Sequence, residues 1–289
     1  MIYAETSPLF EDDNSLSHRL IFYRLILCLF LLYEVFSADM YNLIPVLHES
    51  NFVEGSKISS LKFYILTNIV FFKWFGALSC LFFGIGIKKK VSGLITLGCF
   101  LVLVYLNFRI GHSSSYFPIF SVSILILSFT SRVNDIKERY YFTVREAYNF
   151  LLIWYVLFYF AAGASKITPF LKGLSWIEGH TIQFLTISRT FDSPIYWLLD
   201  QPLFAYSLLW PFTIMSIFGA LLELSAFFCL FSRRFLSIFT VLIVFFHFNL
   251  FLLGTFATLQ YATAASLFFP GVSKLVNYIL KRILHRSHE

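Results

Sequence analysis

The stretch Phe158–Leu185, FYFAAGASKITPFLKGLSWIEGHTIQFL, decides how the rest of the chain is read. It opens at the end of a long apolar run and passes the small residues Ala161, Ala162, Gly163 and Ala164, which read as an elbow. Lys166 follows. After Pro169 and Gly173 comes Ser175-Trp176-Ile177-Glu178, a Ser-x-x-Glu pattern expected to satisfy the first free amide donors of a new helix. In that helix, near 175–188, Trp176, Ile177, Phe184 and Leu185 are interleaved with Glu178, His180 and Gln183. Such a mixture suits a membrane interface or the mouth of a cavity. A lysine, a glutamate and a histidine within fifteen residues form the densest polar cluster in the apolar part of the chain.

Outward from this stretch the chain is mostly hydrocarbon. Of its 289 residues 58% are hydrophobic and only 13% charged, where soluble domains carry about 25% charged residues. The mean hydropathy is +0.75. The sequence therefore predicts an all-α, polytopic membrane bundle. The formal charge of +6 does not imply nucleic acid, because the basic residues fall in short groups between apolar runs rather than in one patch. Cys28, Cys80, Cys99 and Cys229 all lie inside apolar runs with no CxxC spacing, so neither a disulfide framework nor a metal site is expected. The acidic N-terminus (Glu11, Asp12, Asp13) does not resemble a cleaved signal.

Runs approaching the ~20 residues that span a bilayer give about eight candidates. They lie at roughly 20–36, 62–87, 91–108, 116–130, 147–163, 204–231, 235–250 and 255–270. Lys88-Lys89-Lys90, then Arg132, Lys137, Arg139 and Arg145, then Arg233-Arg234, then the basic C-terminal tail all fall on one side with Arg19. Positive residues stay inside, so both termini are expected in the cytoplasm and Phe158–Leu185 at the outer face. No repeat or linker is visible, which predicts one transmembrane domain over residues 1–289.

Polar residues inside spans are costly and hence informative. Arg24, Glu34, Lys73 and Glu223 read as charges that hold helices in register through partners on other helices. Two readings of Lys166 stand. It is an anchor whose stem snorkels to water, or a partly desolvated amine with a pKa low enough to act as a base. His112 and His247 read as helix-end histidines, yet both fall at the level of Lys166 in the expected topology. No phosphate-binding glycine loop, H-E-x-x-H or G-x-S-x-G is present.

The ordered set F-Y-R with Glu34, W-F-G-A-L, G-H-S-S-S-Y, A-G-A-S-K, W-I-E-G, L-L-E-L-S-A and H-F-N resembles the vitamin K-dependent γ-glutamyl carboxylases and their bacterial HTTM relatives. The resemblance implies that Lys166 is the base toward a reduced quinone and that His112 assists it. It places Trp176, Glu178, His180, His247 and Asn249 at the substrate or quinone site, and it implies O2 and CO2 as co-reactants. The localisation it implies is a bacterial inner membrane with the active site on the extracytoplasmic side. This chain departs from the family in two ways. It has more residues between Lys166 and Trp176 than the animal enzymes, and it lacks their large lumenal domain. The implied substrate is then a peptide or small molecule, presented by a separate partner protein. A non-catalytic quinone- or lipid-binding protein, a transporter, or a maturation factor for a secreted peptide is the competing class.

Overall fold

The computed structural model describes residues 13–37, 69–109, 117–130, 142–168, 177–188 and 209–253, together with Phe268. Among these residues every regular element is helical, and the one β feature is an isolated bridge between Thr130 and Phe142. The helices are α1 (Asp13–Ser37), α2 (Ile69–Ile85), α3 (Lys89–Arg109), α4 (Phe117–Phe129), α5 (Val144–Ile167), α6 (His180–Ser188), α7 (Trp210–Leu224) and α8 (Arg233–Leu252). A 3-10 segment, Ser225–Leu230, continues α7.

Three of these stretches are long and apolar enough to cross a membrane: Val144–Ile167, Trp210–Leu230 and Arg233–Leu252. Only 39% of each apolar window is buried. The outer stripes carry exposed Leu157 and Phe160 on α5, Ile214 and Leu221 on α7, and Val241 and Phe245 on α8. Apolar surface on that scale is normal against lipid and rare against water. Helices α2 and α4 are apolar but shorter. The expected eighth span, 255–270, lies outside the described residues apart from Phe268.

The chain divides into two compact units, residues 24–129 and residues 1–23 with 130–289. In the first, Arg24 lies in α1 and donates from Nε to the carbonyl of Gly84 at the end of α2, 3.1 Å away. This contact clamps the α2–α3 turn. Lys73 is buried in α2. The side chain of Glu34 lies outside the described residues. All four cysteines are buried and free.

In the second unit, α5 starts on a reciprocal cap. The Glu146 amide donates to Thr143 Oγ1 (3.2 Å) and the Thr143 amide donates to the Glu146 carboxylate (2.8 Å). The helix then runs unbroken to Ile167, straight through Ala161–Ala164. The expected elbow is therefore a helix face, because alanine is the best helix former and one glycine is tolerated where packing requires it. A Cβ on Gly163 would come 2.7 Å from the Leu224 amide nitrogen and 3.0 Å from Glu223 Cβ. Bare backbone here lets α5 lie directly on α7. Gly219 likewise accepts the Phe246 ring of α8 against the α7 backbone.

The helices α5 and α7 are antiparallel. Gly163 faces Ala220–Leu224, and Phe160, earlier in α5, meets Phe227 with ring centroids 6.2 Å apart. Beyond the end of α5, Gly179 (φ +86°) sits on the backbone of Phe212 and Thr213 at the start of α7. Thr213 Oγ1 donates to the Glu178 carbonyl at 2.7 Å, which fastens the α6 segment there. The helix expected from Ser175 thus begins at His180, because Gly179 in the left-handed region interrupts it after Glu178.

Arg19, grouped in sequence with the basic residues of one side, is buried, with Nη1 donating to the Tyr148 hydroxyl at 3.3 Å and its guanidinium 6.0 Å from that ring.

Candidate functional site

Three helices of the second unit each bury polar residues seven positions apart: Tyr159 and Lys166 on α5, Ser216 and Glu223 on α7, Thr240 and His247 on α8. Seven residues are close to two helical turns, so each pair shares one face. The three faces meet. Lys166 Nζ donates to Glu223 Oε2 in a buried ion pair, with side-chain exposures of 8% and 4%. The Tyr159 hydroxyl and His247 Nε2 are hydrogen-bonded at 3.1 Å in an equally buried setting. One charged pair and one phenol–imidazole pair therefore occupy the same bundle interior.

Local sequence explains the placement. Lys166 is in the last turn of α5, where a cation is favoured by the helix dipole and its stem leans back toward Gly163. Glu223 is at the end of the α-helical part of α7, just before the change to 3-10 geometry. Such 3-10 turns are frequent at helix C-termini and, within a longer helix, mark a hinge or a strained sequence. Around the pairs stand Tyr155, Phe239 and Phe268, with centroids of Tyr155 4.6 Å from Tyr159 and 4.6 Å from Phe268. Phe239 packs edge-on to Tyr159 at 5.9 Å.

Burial of two opposite charges side by side makes their desolvation tolerable; either alone would be costly. The arrangement offers an ion-paired amine and carboxylate in the same bundle interior as a second pair able to donate or accept a proton. Such groups are of the kind that can carry acid–base chemistry in a water-poor interior. Among the described residues no cluster of three His, Cys, Asp or Glu could hold a metal.

The other expected site residues fare differently. Glu178 and His180 face each other at 4.0 Å with side chains more than half exposed. Their segment is fixed at Thr213, ten residues from Glu223 and so about 15 Å along α7 from the charged pair. They belong to the exposed end of the unit, not to the buried pair. The Asn249 amide donates to the Phe245 carbonyl of its own helix at 2.8 Å. His112 and Trp176 lie outside the described residues.

Two features escape a linear reading. Glu223 and Lys166 stand out singly as charges in apolar runs, but nothing short of the fold joins them. Tyr159 is one of 16 tyrosines among 38 phenylalanines and looks like bulk; its seven-residue spacing from Lys166 is the usable signal. Against family models, curated proteins and solved structures, the chain gives no match.

Proposed function

We propose that this chain is an integral membrane enzyme of about eight spans with both termini in the cytoplasm. In this reading Lys166 acts as a base toward a lipid-soluble quinol and drives an oxygen-consuming reaction coupled to modification of a peptide or small substrate. The observation that carries the reading is the buried Lys166–Glu223 pair beside Tyr159–His247, on helices whose outer faces are apolar. Intramembrane ionisable groups are retained chiefly where they work.

The residues fit such a ligand. A quinol is an apolar ring with weakly acidic hydroxyls. The bundle offers a buried amine–carboxylate pair, a phenol–imidazole pair and aromatic faces, within helices whose outer faces are apolar. When bound, a quinol supplies two electrons to O2. In the carboxylases that this sequence resembles, its oxygenation supports proton removal from carbon and capture of CO2. In this chain Lys166 takes the hydroxyl proton and Glu223 keeps the lysine oriented. Tyr159 and His247 hold a second polar atom, and the apolar shell excludes water that would quench a strong base.

The test is oxygen uptake by purified protein given a reduced naphthoquinone or benzoquinone. Lys166→Arg keeps a cation opposite Glu223, but its guanidinium does not give up its proton. Uptake should occur in the wild type and fall by about 10²–10⁴-fold in the arginine variant, with quinone still bound. A folded wild type that consumes no oxygen with any quinol would transfer the site to the non-catalytic quinone- or lipid-binding class.

A further inference from the structure

Lys166 faces two obstacles as a base. A lysine in water, with its ordinary pKa of about 10.4, has well under 1% free amine near neutral pH, and here the amine already donates to a carboxylate. We infer that Glu223 is the proton store of the site: Lys166 takes a proton from an aryl hydroxyl only because Glu223 holds the one that Lys166 gives up. This rests on the reading of Lys166 as the base and adds a second residue to it.

At rest the pair is ammonium and carboxylate. Shifting one proton from Nζ to Oε2 makes a free amine and a carboxylic acid, with no net change in charge. The N–H bond breaks, the O–H bond forms, and the electron pair stays on nitrogen. That amine then accepts the proton of a bound aryl hydroxyl. At the end Lys166 is again ammonium, Glu223 is a carboxylic acid, and the ligand has lost one proton. The net transfer is from ligand to Glu223, and no ion is left unpaired, because the lysine cation now faces the ligand oxygen.

Three observations support this division of labour. The pair is buried, with side-chain exposures of 8% and 4%, so a surplus proton is better kept on a partner than released. Gly163 brings the backbones of α5 and α7 together at Glu223, which fixes the donor–acceptor line. The cost of separating charge in such an interior favours transfers that keep the total constant.

The test uses purified wild-type protein and 2-naphthol, a weakly acidic aryl alcohol whose ionised and neutral forms absorb differently and which cannot follow the quinol reaction. Bound naphthol should show the ionised spectrum at pH 7, and the isotope-edited infrared difference spectrum should gain a protonated-carboxyl band from labelled glutamate. In Glu223→Gln the bound naphthol should be neutral, its ionised fraction at least about 10-fold lower, while Glu223→Asp restores part of it. The infrared measurement needs no variant, so a misfolded glutamine variant leaves the test intact. Naphthol that binds without ionising, naphthol that fails to bind, no new carboxyl band, or a folded Glu223→Gln that ionises naphthol like wild type would each overturn the inference. Ionised naphthol together with no oxygen uptake from any quinol would uphold the proton store and remove only the oxygenase reading.

Discussion

Lys166 and Glu223 are each tolerable in the bundle only because of the other. Removing one partner of a buried pair costs about 3–5 kcal/mol, since the remaining charge is stranded, whereas replacing both by apolar groups of similar volume is often neutral. Lys166→Met should therefore lower the apparent melting temperature in detergent, and Glu223→Met should do the same. The double variant should recover most of the loss. Equal melting of the single and double variants would mean that the pair is not coupled. The Tyr159–His247 bond is a milder case. A hydrogen bond to a neutral group contributes about 0.5–1.5 kcal/mol, though stranding a buried acceptor costs about 1–3 kcal/mol. Tyr159 is thus chiefly a holder of the imidazole ring.

At the scale of the helix, Gly163 does for α5 and α7 what no other residue could do at that point. A methyl there would press on the Leu224 amide nitrogen and Glu223 Cβ, and backbone cannot swing aside. At Gly219 the nearest atoms belong to the tip of the Phe246 ring, which can tilt. Gly163→Ala should therefore cost about 1–3 kcal/mol through overpacking and loosen the ion pair, and Gly219→Ala should cost less. Thermal melts of the two variants check the order, and the reverse order would mean that α5 does not rest on α7 through Gly163. These two glycines also mark the boundary of what a linear sequence tells. The apolar runs, their helical nature and the isolated charges follow from composition and spacing, because hydrocarbon length and the cost of burying charge are local properties. Which small residue makes a crossing point, and which Ser/Thr-x-x-Glu caps a helix, are not. Thr143-Val-Arg-Glu146 and Ser175-Trp-Ile-Glu178 look alike in sequence, but Gly179 with φ +86° stops the second pattern from starting a helix at its own glutamate.

For the molecule as a whole, the second unit has a basic end and an opposite end that bears Lys166. The start of α5 carries exposed Arg145, and the start of α8 carries Arg233 and exposed Arg234. Because α5 runs antiparallel to α7, the start of α5 and the α7–α8 junction lie at the same end. Lys166 and, farther along, the Gly179–Thr213 contact lie toward the other. Arg19, held at Tyr148 near the start of α5, lies at the basic end as well. The proposed topology, which follows the positive-inside rule, puts that end in the cytoplasm and predicts that the exposed Glu178–His180 pair faces out. Single cysteines on a cysteine-free background then give a definite pattern in intact cells. The His180→Cys variant should react with a membrane-impermeant maleimide, while Arg145→Cys and Arg234→Cys should react only after the cells are opened. Labelling of Arg234→Cys from outside, with His180→Cys protected, would invert the bundle and put the Lys166–Glu223 pair nearer the cytoplasmic face. Labelling of both from outside would mean that α8 and the stretch after α5 begin on the same side, which the antiparallel packing of α5 on α7 forbids.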